Sequence, residues 1–142
     1  MISEPRDHPY AELLGIEVQS INKGQCTSKI TFDRKLLNPN NVIHGGVIYS
    51  LADTGMGGAL TSVLPDGKYC ATIEIKIAYL KPAGEFDLIC QTKLLRQGKK
   101  VAFLESEVFS NDDLIAKASG SCLLYTSPSP RDYAASRMPS SA

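Results

Sequence analysis

The chain has 142 residues, of which 43% are apolar and 21% are charged, close to the average for a globular domain. This length and composition predict a single domain with a sizeable core and exclude disorder throughout. Lysine plus arginine and aspartate plus glutamate each number 15, so the formal net charge of +0 favours neither a nucleic-acid surface nor binding to an anionic membrane.

The cysteines and the apolar window favour a reduced, cytoplasmic protein. No charged and then apolar leader follows Met1, and the most apolar window, 47–64, contains Asp53 and several glycines, unlike a bilayer span. The cysteines are widely spaced without a Cys-x-x-Cys pair, which disfavours a disulfide scaffold or a metal site. They are Cys26, Cys70, Cys90 and Cys122.

The N-terminal part of the chain predicts a short helix and a β-hairpin. Residues 8–14 have a proline near their start and Gly15 after their end, the usual signals that bound a helix. Residues 16–21 and 26–32 alternate apolar and polar side chains on either side of an Asn-Lys-Gly turn at 22–24, as paired strands do. A loop at 36–41 follows.

One long helix is predicted over 45–63, because its apolar residues recur at three- and four-residue spacing and a Pro-Asp-Gly turn follows at 65–67. The helix interior contains Gly55, Gly57 and Gly58, each costing roughly 1 kcal/mol relative to alanine. We therefore expect a sheet to approach the backbone of this helix closely.

Four strands are predicted after the helix from their alternating pattern and the turns between them, at 71–80, 87–96, 101–110 and 114–121. The order of two strands, one helix and four consecutive antiparallel strands predicts an α+β fold, with one helix wrapped by one curved antiparallel sheet.

The C-terminal segment 122–142 differs from the rest in composition, being rich in serine, proline and alanine after 125. One interpretation is a disordered tail. The other is read-through into a sequencing adapter, since one frame of a common transposase adapter encodes 122–132 and its flow-cell end encodes 136–142. Both place the domain at 1–121, although 122–126 is prone to extend the last strand.

The segment 38–53 contains the residues best suited to chemistry. A loop with Asn38 and His44 leads into Gly45 and Gly46 and directly into the long helix. Glycines allow a substrate to approach the backbone, and a helix start supplies unpaired N–H groups with a partial positive charge of roughly half an electron. Such a site suits a carbonyl oxygen that gains negative charge during nucleophilic attack.

Asp53 follows Gly46 by two helical turns, so the two residues share one face of the helix. A carboxylate in the most apolar helix is costly unless it is hydrogen-bonded or functional. The pattern therefore predicts a base or nucleophile at Asp53 and an oxyanion donor at the helix start.

With these residues, the chain resembles the hotdog-fold acyl-CoA thioesterases of the phenylacetate-degradation (PaaI-like) type. The resemblance covers 8–121 and includes the strand sequence TIEIKIAYLKPA at 72–83. It implies a hotdog fold and cofactor-free hydrolysis of an acyl-CoA thioester, at a site shared between the subunits of a homodimer or of a dimer of dimers.

The resemblance also implies a role for each site residue. Asp53 matches the catalytic carboxylate, as general base or nucleophile, and Gly46 matches the backbone donor to the thioester carbonyl. Asn38 matches the residue that orients water or the thioester, and His44 matches the histidine that shapes the site. Thr72 lies where a hydroxyl supports the carboxylate or the water.

Each of these residues has a plainer interpretation. Asp53 is also typical of a cap or a solvated helix position, His44 of a bond to the loop backbone, and the two glycines of a tight turn. Asn38 precedes a proline, a common turn opener, and Thr72 suits a strand.

Two further groups remain open between binding and structure. Arg96, Lys99 and Lys100 at one predicted hairpin either meet CoA phosphates, with Gly45 as a further substrate contact, or form a solvated turn. Tyr79 and Phe103 are predicted as core residues, with lining of an acyl pocket as the alternative.

Two other functions fit the same fold. One is hydration or dehydration of an enoyl thioester, although those relatives carry an Asn-Pro-x-His loop and here His44 follows Pro39 by five positions. The other is a non-catalytic module that binds acyl-CoA or an acyl carrier, with Asp53 only a hydrogen-bonding group. Release of free thiol separates hydrolysis from both.

Overall fold

The computed structural model describes residues 7–126. Two helices, a short 3-10 turn at Arg34–Leu36 and six strands form this part of the chain. In order they are α1 (Pro9–Leu14), β1 (Ile16–Asn22), β2 (Gln25–Ile30), α2 (Gly45–Thr61), β3 (Tyr69–Tyr79), β4 (Leu88–Gln97), β5 (Val101–Ser110) and β6 (Asp113–Tyr125). No helix within 7–126 combines the length and apolar character needed to cross a membrane.

The predicted N-terminal helix and hairpin are confirmed. The Nδ1 atom of His8 accepts a hydrogen bond from the Ala11 N–H and caps α1, which ends at Gly15 with a φ of 75°. The hairpin between β1 and β2 turns through Lys23 and Gly24, both with positive φ. Gly24 carries the turn at a position where its backbone also lies against Leu94.

The six strands form one antiparallel sheet in the order β1-β2-β4-β5-β6-β3. The α+β prediction of one helix against one sheet is confirmed. The chain order of the last four strands is not their spatial order, however, because β3 pairs with β6 and forms an edge of the sheet. The segment between β3 and β4 carries the chain across to β2.

Helix α2 packs against the sheet with its apolar side buried, including Leu51, Met56 and Leu60 at 0% exposure. The expected close approach holds at two of its three interior glycines. A Cβ at Gly55 would collide with the Thr92 hydroxyl, and a Cβ at Gly58 would lie 3.0 Å from the Cys26 sulfur. Gly57 has no atom within 4 Å of such a Cβ, so it faces away from the sheet.

Beneath α2 lies a buried polar cluster, which we define as Cys90, Thr92, Ser106 and the carbonyl of Ala52. Ser106 donates to the Ala52 carbonyl at 3.0 Å. Because its only proton is used there, the 2.7 Å bond between Thr92 and Ser106 is donated by Thr92. The hydroxyls of this cluster are thus paired within the core.

The predicted burial of Tyr79 and Phe103 is wrong, since these side chains are 51% and 47% exposed. Phe103 points to the outer face of the sheet because its neighbours Ala102 and Leu104 take the inner positions of β5. Tyr79 ends β3, beyond the core, where its hydroxyl reaches the start of α2.

Strand β6 continues to Tyr125, as expected for the β-prone run after Ser121. Residues 122–125 pair with β3, and residues 122 and 123 also pair with β5. A strand conformation is compatible with either origin of segment 122–142, so read-through remains a prediction that the genomic sequence of the locus would test. Residues 127–142 lie outside the described residues.

Candidate active site

The loop that leads into α2 is closed by Asn38. The Asn38 side-chain oxygen accepts from the backbone N–H groups of Asn40, at 2.8 Å, and Val42, at 3.3 Å. Its backbone N–H donates to the Val42 carbonyl, and the His44 N–H donates to the carbonyl of Leu36. The oxygen of Asn38 therefore holds its own loop, and its predicted role in orienting water or substrate depends on the amide nitrogen.

His44 is the N-cap of α2 and lies against the predicted oxyanion donor. Its Nδ1 atom accepts a hydrogen bond from the Gly46 N–H at 2.8 Å. Within the described residues, the Gly45 N–H makes no hydrogen bond. Since Nδ1 accepts only while it is unprotonated, neutral His44 occupies the donor, and a carbonyl oxygen must displace it to reach the Gly46 N–H.

Tyr79 contacts the other side of the same helix start. Its Oη donates to the Gly45 carbonyl at 2.7 Å, and a Cβ on Gly45 would lie only 3.1 Å from the Tyr79 ring. Burial, and then the neighbouring Tyr49, raise the pKa of Tyr79, so the phenol keeps the proton that it donates. Sequence reasoning missed this contact, because 34 positions separate the two residues and no local spacing relates them.

Asp53 is half-buried on the exposed side of α2. The Thr72 hydroxyl donates to its Oδ1 atom at 2.8 Å, so the structure brings together the carboxylate and the hydroxyl that was expected to support it. Within the described residues, the carboxylate makes no other hydrogen bond or ion pair. One oxygen is thus oriented by β3, and the other is free to meet a water molecule or a substrate.

The thiols near the helix are poor nucleophiles. Burial raises the pKa of Cys122 to about 11, with smaller contributions from Cys70 and Asp53. Burial also raises the pKa of Cys26 to about 11 and raises that of Cys90. Because the thiolate is the reactive form, these thiols are poorly suited to attack near neutral pH.

The basic residues of the hairpin between β4 and β5 take no part in the hydrogen bonds described above. Arg96 lies near the end of β4, Lys99 and Lys100 lie in the turn before β5, and all three are exposed. They make no ion pair with another described residue. Their contact with CoA phosphates remains a prediction.

A cavity of about 330 Å³ lies beside the helix start. Gly45 and Tyr79 form one side of it, and the apolar side chains of Ile43, Ile48 and Leu80 contribute to the rest. Within residues 7–126, no cluster of three histidine, cysteine, aspartate or glutamate side chains is placed to hold a metal ion.

The site residues other than Asn38 lie in a segment that matches a known family. Residues 40–117 match the model of the thioesterase superfamily. The chain is 31% identical to "Putative esterase SSO1253" of Saccharolobus solfataricus over 79% of this chain and 75% of that protein. It is 30% identical to "Acyl-coenzyme A thioesterase PaaI" of Escherichia coli over 69% of each chain.

The fold also matches that of a solved structure. The conserved protein PA5202 of Pseudomonas aeruginosa superposes with a TM-score of 0.79 at 30% identity, covering 88% of this chain and 96% of that chain. Helix α2, with the Asp53 carboxylate, lies entirely inside the matched segment.

Proposed function

The chain belongs to the thioesterase superfamily and has its hotdog fold, and on this basis we propose that it hydrolyses acyl-CoA thioesters to the free acid and CoA. The observation that carries the proposal is the Asp53 carboxylate, held through one oxygen by Thr72 and open at the other. The similarity to the acyl-CoA thioesterase of Escherichia coli supports the same substrate class.

The proposed chemistry uses Asp53 on the thioester carbonyl carbon, directly as nucleophile or as the base that deprotonates an attacking water. Both routes put negative charge on the carbonyl oxygen. Once His44 has moved aside, the Gly46 N–H donates a hydrogen bond to this oxygen, and the partial positive charge of the helix start adds to the stabilisation. Collapse of the intermediate then releases the CoA thiolate. On the base route this step also gives the free acid, and the proton held by Asp53 passes to the thiolate. On the nucleophile route the collapse leaves an Asp53–acyl anhydride, which water then hydrolyses to the free acid and the Asp53 carboxylate.

Asp53 and Gly46 of one chain are too far apart to act on one carbonyl. Seven residues at 1.5 Å each separate them by roughly 10 Å along α2. A site that uses both groups therefore combines Gly46 of one protomer with Asp53 of the partner subunit. This distance supports a homodimer as the smallest unit with a complete site. A dimer of dimers would contain the same pairing of subunits.

The acyl group is proposed to enter the cavity beside Gly45 and Tyr79. Its walls are mostly apolar, and its volume of about 330 Å³ is of the size that suits a small acyl group. Aromatic and short-to-medium acyl chains are therefore the expected substrates.

The test is release of free thiol from phenylacetyl-, benzoyl-, hexanoyl- and lauroyl-CoA by the full chain. Turnover of any one well above the uncatalysed rate, with the smaller acyl groups preferred, supports the proposal. Binding of all four without turnover would instead indicate a non-catalytic acyl-CoA module. Loss of the enoyl absorbance of crotonyl-CoA without thiol release would indicate a hydratase.

A further inference from the structure

The Gly45 carbonyl and the Gly46 N–H belong to the same planar peptide group. Tyr79 donates to the carbonyl end of this peptide, and His44 accepts from its N–H end. No other peptide of the first turn of α2 has a side-chain bond at both ends within the described residues. The peptide is therefore held from both sides.

We infer that Tyr79 is a positioning residue that orients and polarises the Gly45–Gly46 peptide as an oxyanion donor. The inference rests on the proposed hydrolysis. Because the peptide is planar, fixing its carbonyl also fixes the direction of its N–H. A hydrogen bond at the carbonyl oxygen draws electron density from the nitrogen and makes the N–H a stronger donor, by about 10–30% in linked hydrogen bonds.

The position of Tyr79 suits this role in two ways. It lies at the end of β3, so the sheet supports its ring while its hydroxyl reaches α2. Gly45 has no Cβ, which allows the ring to pack directly on the peptide. The tyrosine bond also differs from the histidine bond, because substrate must displace His44 from the N–H but leaves the carbonyl bond of Tyr79 intact.

Tyr10 provides a matched control on the next peptide. Ser50 donates to the Gly46 carbonyl at 2.8 Å, so the 2.8 Å bond between Tyr10 and Ser50 is donated by Tyr10. The Gly46 carbonyl belongs to the peptide whose N–H is that of Val47, and this N–H is already bonded to the His44 carbonyl. Tyr10 therefore supports the helix start without touching an open donor.

The experiment compares Tyr79→Phe with Tyr10→Phe in thiol release from the best substrate of the panel. Tyr79→Phe is expected to lower kcat by about 3- to 10-fold, the effect of one neutral hydrogen bond, with KM changed less than about twofold. Tyr10→Phe is expected to leave kcat unchanged. Equal kcat values in Tyr79→Phe and the parent chain would overturn the inference.

A spectroscopic measurement separates positioning from a structural effect. In an Asp53→Asn background, the infrared carbonyl band of bound phenylacetyl-CoA, labelled with ¹³C at the thioester carbon, is expected at lower frequency than in water. Adding Tyr79→Phe should move the band part of the way back toward its frequency in water, and adding Tyr10→Phe should leave the band in place. An unchanged band in the Tyr79 variant would overturn the inference.

The two proposals fail in different ways. If the parent chain hydrolyses no thioester of the panel, the proposed function fails, and the band of the bound thioester still decides the role of Tyr79. If the parent chain is active and both tyrosine variants match it in kcat and in carbonyl frequency, hydrolysis stands and the role of Tyr79 fails. Thermal unfolding of both variants controls for loss of fold.

Discussion

Two polar clusters contact the same helix, and they differ in what their hydrogen bonds leave free. The buried polar cluster lies between α2 and the sheet, where Ser106 donates to the Ala52 carbonyl. The other, which we call the site cluster, comprises His44, the Gly45–Gly46 peptide, Asp53, Thr72 and Tyr79. In both clusters a side-chain hydroxyl bonds a carbonyl of α2.

The buried polar cluster is neutral, and its hydroxyls are paired, as the cost of an unpaired group in the core requires. The site cluster is exposed or half-buried, carries a carboxylate with a free oxygen and has a donor covered only by a displaceable imidazole. Hydrogen bonding to the helix therefore does not identify the functional residues. The proposal for the site cluster rests instead on hydrogen-bonding capacity that is left unused at an accessible position.

The strongest way to test this comparison is Asp53→Asn, which keeps the bond from Thr72 and removes the charge. We expect kcat to fall by about 100-fold or more, because the amide is neither a base nor a nucleophile, with little change in unfolding free energy. Thiol release and chemical denaturation measure the two quantities. Activity within about twofold of the parent would remove Asp53 from the chemistry.

The shared site has its own test, by mixing Asp53→Asn with Gly46→Pro, which lacks the backbone N–H. Each variant alone is expected to be inactive. Co-refolded chains should recover about a quarter of the parent activity, because half of the dimers are mixed and each mixed dimer has one intact site. No recovery, with mixed dimers present, would contradict a site between subunits.

Gly55→Ala tests the packing between α2 and the buried polar cluster. The new Cβ would collide with the Thr92 hydroxyl, and the expected loss of unfolding free energy is about 1–3 kcal/mol. Gly57→Ala is the matched control, since its Cβ meets nothing within 4 Å and alanine should stabilise the helix by about 0.5–1 kcal/mol. Shifts of the same sign in the two variants would contradict this packing.

Ser106→Ala breaks the buried polar cluster without touching the site cluster. It leaves Thr92 with only the Cys90 sulfur, at 3.5 Å, and is expected to cost about 1–2 kcal/mol of unfolding free energy. We expect kcat to remain at the parent value. A loss of turnover without a loss of stability would show that this cluster also serves the chemistry.

The smallest expected effect is at Asp87, a carboxylate whose two oxygens are both engaged. Its Oδ1 accepts from the Phe32 N–H at 2.7 Å, and its Oδ2 lies 3.5 Å from Lys29. The Phe32 N–H bond lowers the pKa of Asp87, burial partly opposes this, and Lys29 adds a smaller lowering effect. Its stabilisation is therefore fully present above the unfolded pKa, near 4, and is lost as the pH falls from there through the lower pKa of the folded state.

Asp87→Asn is accordingly expected to reduce the acid dependence of unfolding while thioester hydrolysis stays unchanged. Because Asp87 is exposed to solvent, the effect should be about 0.5 kcal/mol or less. Denaturation at pH 3 and pH 7 measures it. An equal pH dependence in the variant and the parent would assign the acid sensitivity to other carboxylates, such as Glu105.

The sequence alone determined the elements and most of the candidate site, because both depend on local patterns. Apolar spacing predicted α2, alternation predicted the strands, and a carboxylate two turns after a glycine pair indicated Asp53 and Gly46. These features need only neighbours within a few residues along the chain. The same local rules placed Tyr79 and Phe103 in the core, where neither lies.

Only the tertiary structure decided which of these residues meet. The pairing of β3 with β6, the bond from Thr72 to Asp53 and the bond from Tyr79 to Gly45 join positions far apart in the chain. Such contacts are set by strand order and by the packing of the helix on the sheet, and no periodicity in one segment encodes them. The hydrogen bond from the Gly46 N–H to His44 joins residues only two positions apart. The sequence did not predict it, because it depends on where the cap geometry places the His44 ring.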